Sequence, residues 1–276
     1  MMRFKILMEN KTDGPGCIAE HGLSIYIEAQ GRKLLFDTGA SPLFAQNARA
    51  MGVDLSQVEA LVISHGHYDH TGGVPQFCEL NQIAPIYIHQ GAFYETYGKE
   101  DGKWESQTCG IRWNDHQRSM IDPRIVRTNG PEWISENIVI SGTIPEIPGF
   151  EPAESFYRKC QDGSYEPDPM DHEQILVIRE PEGLYVFSGC SHRGVVAAVR
   201  RARELFDGER IAVLAAGMHL YSAGKDMRKK VVDQIIQEEM DLIMPVHCTG
   251  IDAICDLKTA LGDKCVAATA GSSYGY

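Results

Sequence analysis

The chain has 276 residues and a mass of 30.6 kDa, with 43% hydrophobic and 23% charged residues, which is enough for one large α/β domain with a sizeable core. No window approaches the ~18 uninterrupted apolar residues of a membrane span, so none is expected. A formal net charge of -12, from 26 basic against 38 acidic residues, repels phosphate backbones and anionic lipid and argues against nucleic acid or membrane surfaces as partners.

The first ten residues meet Glu9 too early for a secretory apolar stretch and offer no cleavage site, so they read as a first strand. Eight cysteines, Cys17, Cys78, Cys109, Cys160, Cys190, Cys248, Cys255 and Cys265, are scattered without CxxC spacing. Reduced thiols in a cytoplasmic protein are the expectation. Strand-like runs rich in Val, Ile, Leu and aromatics are predicted at 5–8, 23–28, 33–36, 60–63 and 86–89. A second group follows at 124–127, 138–140, 174–178, 184–187, 211–215, 242–246 and 264–267. The first helix is predicted from Ser41, as N-cap before Pro42, to about Met51 and the stop at Gly52. Further helices are predicted at 195–206, at 226–238 with Val231, Ile235 and Ile236 on the apolar face, and at 250–261. Hairpins joined by helices, twice over, suggest two β-layers covered by helices on both outer faces.

One domain over residues 1–276 is the expectation, with lid-like insertions at about 91–136 and 145–169. The first carries Phe93, Tyr94, Tyr97, Trp104, Trp113 and Trp133 among polar residues and glycines with poor periodicity. Such segments read either as lids over a site, with Trp104, Trp113, Phe156 and Tyr157 in stacking reach of a substrate, or as insertions packing their own cluster.

The decisive segment runs from Ser64 to Gly73, directly after the apolar strand 60–63. His65, His67, Asp69 and His70 occupy six positions there. A loop leaving a strand end can turn four such side chains toward one point, and imidazole with carboxylate suits zinc, with Mn or Fe(II) as lesser fits. Gly66, Gly72 and Gly73 let the backbone bend around that point. His89 and His116 lie outside any motif and are assigned to the surface, while His172 reads as a loop histidine near the cleft.

These residues form HxHxDH, which resembles the signature of the metallo-β-lactamase superfamily, and Asp37-Thr38-Gly39 resembles its strand-end partner. The stretches 19–24, 189–194, 217–220 and 245–250 resemble one subgroup, the 7,8-dihydropterin-6-methyl-4-(β-D-ribofuranosyl)-aminobenzene-5'-phosphate synthase-like, or dihydropteroate synthase-like, proteins. The resemblance implies an αββα sandwich, two mixed β-sheets flanked by helices, with a dinuclear metal site along one edge. By position it gives His65 and His67 to a first metal, Asp69 and His70 to a second, and His247 as the second metal's last histidine. Cys190 stands where many relatives have a bridging Asp, and His192 is the candidate for the third first-metal histidine. Cys190 reads either as a metal thiolate or as a buried cysteine packing as a small hydrophobe.

The resemblance and the ligand set together suggest a hydrolase that turns a metal-activated water on a small ester, lactone or phosphoester. Zn2+ is the expected cofactor, one or two per chain. Asp69 is expected to hold the water and the second metal. His219 would orient the substrate or protonate the leaving group, with Glu20 and His21 on the substrate side. The subgroup implies an alternative, condensation of a pterin pyrophosphate with a ribosylaminobenzene phosphate. The partner is then a small molecule, pterin-like or phosphorylated. Diiron flavoproteins share the fold, but their motif has Glu where this chain has His67. A non-enzymatic metal sensor is disfavoured by the complete ligand set.

Overall fold

Side chains that alternate between the two faces of strands buried on both sides generate three stacked apolar layers. The computed structural model describes residues 2–100 and 102–275. In strand Arg32–Phe36, Leu34 and Phe36 enter the middle layer while Leu35 faces an outer one. In strand Gly183–Ser188, Tyr185 and Phe187 enter the same middle layer from the other side, and Leu184 and Val186 face the opposite outer layer.

The middle layer lies between two sheets. The seven-stranded sheet runs Ser273–Gly275, Arg3–Met8, Ser24–Ala29, Arg32–Phe36, Ala60–Val62, Ile86–His89 and Ile125–Thr128. The six-stranded sheet runs Glu132–Ser135, Ile138–Ile140, Leu176–Glu180, Gly183–Ser188, Ile211–Ala216 and Leu242–Pro245. Each is mixed. The first is antiparallel up to Arg32–Phe36 and parallel beyond it. The second is antiparallel up to Gly183–Ser188 and parallel after it.

Helices Leu43–Ala50 and Val74–Leu80 cover the outer face of the first sheet through Phe44, Ala48, Val74 and Phe77. Helices Val195–Leu205, Lys225–Gln237 and Ile251–Leu261 cover the second through Val199, Ala202, Val232, Ile235 and Leu257. The architecture is therefore the helix, sheet, sheet, helix sandwich expected. No helix among the described residues is long and apolar enough to cross a membrane.

Several local expectations need correction. The first helix starts at Leu43 with Pro42 in the cap position, and the Ser41 hydroxyl instead accepts from Leu43 N. Residues 264–267 form no strand beyond a single bridge from Cys265 to Ile243, and the chain closes on strand Ser273–Gly275 against Arg3–Met8. Ile236 is exposed and Val232 takes its place in the core. His89 is buried, because the strand Ile86–His89 is an interior one and its imidazole caps a turn through Gly91 N while Nε2 meets Thr143 Oγ1 at 2.9 Å.

The aromatic stretches are partly sheet. Ile125–Thr128 and Glu132–Ser135 are edge strands of the two large sheets. A small sheet of Tyr165–Pro167, Tyr157–Lys159 and Thr96–Tyr97 joins the two stretches, and Trp104 stacks on Tyr165 at 4.0 Å and meets Tyr157 edge-on at 5.1 Å. Trp113 packs in the outer core and donates from Nε1 to Thr71 O at 2.9 Å.

Candidate metal centre

Parallel strands release their loops at one edge, and the chemistry-bearing residues all leave from that edge. Asp37 follows Arg32–Phe36 and the HxHxDH loop follows Ala60–Val62. Cys190 and His192 follow Gly183–Ser188, His219 follows Ile211–Ala216, and His247 and Cys248 follow Leu242–Pro245. Asp37, Ser191, His219 and His247 hold φ between 47° and 55°, four of the eight described non-glycine residues in the left-handed region. Strain of this kind persists where surrounding structure fixes a side chain in place.

His65, His67 and His192 form a near-equilateral triangle. Their ring centroids lie 4.6, 4.9 and 4.8 Å apart. Each Nε2 is buried without a hydrogen-bond partner among the described residues. A buried polar atom left unpaired costs about 1–3 kcal/mol, so three in one place point to a common cation. Burial, reinforced for His65 by the neighbouring His70 and for His192 by His219, holds both well below the ordinary histidine range, and His67 falls to about 3. All three are neutral at neutral pH, with ring lone pairs available.

A second group surrounds Asp69. Its Oδ2 lies 3.0 Å from His247 Nε2, 3.1 Å from His21 Nε2 and 3.7 Å from His70 Nε2, and His70 Nε2 lies 3.2 Å from Cys190 Sγ. Ligand atoms at the usual zinc bond lengths stand ~3.3 Å apart at tetrahedral corners, so these separations fit a metal between them. Burial pushes the Asp69 carboxyl up, but His70, His21 and His247 outweigh it and hold it well below the usual carboxylate range. His70 is raised to about 9, since Asp37 and Asp69 together overcome burial.

The far ring nitrogens are fixed. Ser64 Oγ donates to Asp37 Oδ2 at 2.7 Å, so at 2.9 Å it accepts from His65 Nδ1. His70 Nδ1 donates to Asp37 Oδ2 at 2.6 Å and His247 Nδ1 to Asn10 Oδ1 at 2.7 Å. In the neutral ring these bonds place the proton on Nδ1, so Nε2 is the nitrogen each would offer a metal, and His70, raised to about 9, would give up its second proton to do so. Glu173 receives the backbone N–H groups of His192 and Arg193 at 2.7 and 2.9 Å, and burial holds its carboxyl above the usual range.

Cys190 Sγ also belongs with ligand atoms of His65 and His192, all within 4.8 Å of one another, so it stands between the two groups. Cys190, Cys248 and His219 make a third such set. Burial pushes the Cys190 thiol up. Cys248 is drawn down against burial by the Cys190 hydrogen bond and by His247 and His219. His219 Nε2 lies 3.0 Å from Glu154 Oε2, which also accepts from Tyr221 Oη at 2.6 Å. His219 rises to about 10 because Cys248 and Glu154 together overcome burial.

The structure thus brings together His65, His67, Asp69, His70, His192, His247, Cys190, His21 and His219. It does not bring in Glu20, whose carboxylate is committed to Ser41 N and Oγ at 3.1 and 2.6 Å. His172 is near the cleft as expected, accepting from Gly66 N at 3.3 Å and lying 3.6 Å from Asp168. Of the four aromatics singled out, Phe156 meets the site histidine rings, at 4.6 Å from His67 and 5.1 Å from His192. Sequence reasoning missed Cys248, Glu173, Asp168 and Asn10. Cys248 adjoins His247 within the stretch 245–250, and that placement is a signal that could have found it.

A family model described as the metallo-beta-lactamase superfamily matches residues 18–207 of this chain. Among solved structures, Tm1679, described as a metal-dependent hydrolase of the beta-lactamase superfamily, is similar over 100% of this chain and 99% of its own, with a TM-score of 0.84 and 28% identity. An uncharacterized protein of Methanocaldococcus jannaschii, MJ0448, is 27% identical over 92% of this chain and 93% of its own. A second protein of that organism, named 7,8-dihydropterin-6-methyl-4-(beta-D-ribofuranosyl)-aminobenzene-5'-phosphate synthase, is 27% identical over 85% of this chain and 83% of its own.

Proposed function

The chain belongs to the metallo-beta-lactamase superfamily, and from that premise we propose that it is a metal-dependent hydrolase of a small ester, lactone or phosphoester. The observation that carries the reading is the triangle of neutral, buried imidazoles with three unpartnered Nε2 atoms, set beside the Asp69 group. His65, His67 and His192 would hold one divalent ion. Asp69, His70 and His247 would hold a second, with Cys190 between them and His21 at the rim. Zinc suits this donor set best, with Mn or Fe(II) as alternatives. When bound, such ions supply Lewis acidity and a water that ionises near neutral pH.

The chain's own residues supply the rest. Asp69, held ionised among His21, His70 and His247, would accept a hydrogen bond from a water at the site. His219, charged and held by Glu154, would place its positive charge beside His192, at 4.4 Å between ring centroids, where it stabilises negative charge developing on a substrate. Phe156 covers His67 and His192 and keeps bulk water from that flank. Of the segments 91–136 and 145–169, the parts joined by the small sheet, Thr96–Tyr97 with Tyr157–Lys159 and Tyr165–Pro167, would act as the lid that carries Phe156, while 125–136 belongs to the two large sheets. Eight unpaired cysteines support a cytoplasmic location.

A panel of esters, lactones and phosphoesters, assayed with the zinc-reconstituted protein and with His67→Ala, tests the reading. Saturable turnover that His67→Ala abolishes is expected, and zinc-loaded protein inert to the whole panel contradicts it. The synthase reading is favoured by the name of one relative at 27% identity. Release of pyrophosphate from a pterin pyrophosphate, dependent on an aminobenzene acceptor, would select it instead.

A further inference from the structure

A cavity of about 330 Å³ opens beside His192, within the range of small-molecule sites. Phe150 and Phe156 supply its apolar wall, and Glu146, Glu154, Asp168 and Arg193 its charges. Two of the three acids are already engaged. Glu154 holds His219 and Tyr221, while Asp168 holds Arg158 at 3.0 Å and accepts from Met170 N at 2.8 Å.

Arg193 is different. Its side chain is 8% exposed, and its Nη1 donates to Pro169 O at 2.7 Å. Its Nε is buried with no hydrogen-bond partner. Among the described residues its Nη2 meets the Glu146 carboxylate alone, at 3.4 Å, and the Glu146 side chain is 76% exposed. Nε–H and Nη2–H form the parallel pair of donors that grips a carboxylate or phosphate side-on. A contact at 3.4 Å is longer than a good N–H···O bond, so Glu146 touches the fork without satisfying it. The same Glu173 carboxylate that positions His192 also holds the backbone of Arg193, which fixes the fork relative to the first histidine triad.

We propose that Arg193 anchors an oxyanion of the substrate, a carboxylate or a phosphate, while Phe150 and Phe156 pack against a flat body. Glu146 occupies the fork until the anion displaces it. This assignment rests on the hydrolase reading above and names the class of substrate for that same site: a small, flat, anionic molecule.

Calorimetric titration of the zinc-reconstituted protein with phenylphosphonate, which has no hydrolysable bond, tests it. Benzoate serves as the carboxylate arm and methylphosphonate as the control without a ring. Zinc content is measured for every variant. Arg193→Gln is expected to weaken phenylphosphonate about tenfold with zinc unchanged, and Arg193→Lys to fall between. Glu146→Gln, a surface change, should tighten binding by about twofold. Whichever of phenylphosphonate and benzoate loses more on Arg193→Gln identifies the anion, and methylphosphonate should bind more weakly than phenylphosphonate. Wild-type affinity in both Arg193 variants, or weaker binding in Glu146→Gln, overturns the anchor. Wild-type protein that takes up no zinc overturns the metal reading instead, and the Arg193 comparison made on that same protein still decides the anchor.

Discussion

His192 is the residue on which the first triad depends, since it alone comes from the second half of the sandwich. His192→Ala should lose one metal and the activity together. Cys190→Ser should keep the metals, because three nitrogen or oxygen donors remain in each group. In cobalt-substituted protein it should abolish a thiolate-to-cobalt charge-transfer band in the near ultraviolet; a band unchanged by Cys190→Ser removes Cys190 from the site. Asp168 offers a pH test. Burial raises its carboxyl, but His172 and Arg158 outweigh it and hold it at about 2, below the ordinary 3.8. A depressed folded value stabilises above the unfolded one and is lost as pH falls through the folded one. Asp168→Asn should therefore cost about 2 kcal/mol at pH 7, and about half of that gap should be gone by pH 3. Urea titrations giving one gap at both pH values contradict it. The HxHxDH residues were legible because four of their six positions carry chemistry within one loop. Glu173 and Asn10 were not, since their work is to hold backbone and ring nitrogens that only the folded chain brings to them.

At the scale of elements, the site depends on how closely two strand ends approach. A Cβ on Gly189 would lie 2.2 Å from Ser64 Oγ, the atom that links Asp37 to His65. Gly189→Ala must push that serine aside, at a cost of roughly 1–3 kcal/mol, and it should lower Tm by roughly 5 °C and weaken metal binding. Unchanged metal affinity by competitive chelator titration would show that the Asp37, Ser64 and His65 chain does not set the site. Most interior strands were legible, because short continuous apolar runs such as Leu34, Leu35 and Phe36 announce themselves. Ser273–Gly275 was not, being a short polar strand that exists only through pairing with Arg3–Met8. The start at Leu43 was misplaced by one residue because Ser41 looks like a cap, while its backbone and hydroxyl are held by Glu20.

Across the whole molecule, the two sheets share one middle layer, so neither half has a core of its own on that side. Phe187 is fully buried there, edge-on to Phe4 at 5.4 Å and 6.3 Å from Phe36 of the opposite sheet. Phe187→Ala should cost about 3–5 kcal/mol and lower Tm by roughly 10 °C, in one cooperative transition. Two separated transitions would mean that the halves fold independently. The repeated order of hairpins and helices made two helix-covered layers readable from sequence, but the strand order was not, because pairings such as Ile125–Thr128 beside Ile86–His89 are set by long-range packing. That packing brings three histidines from two sheets to one edge. The most direct test is a crystal structure of the zinc-reconstituted protein with anomalous scattering recorded at the zinc edge. Two anomalous peaks are predicted, one within the His65, His67 and His192 triangle and one among Asp69, His70 and His247; zinc bound elsewhere, or no peak in the triangle, contradicts the assignment.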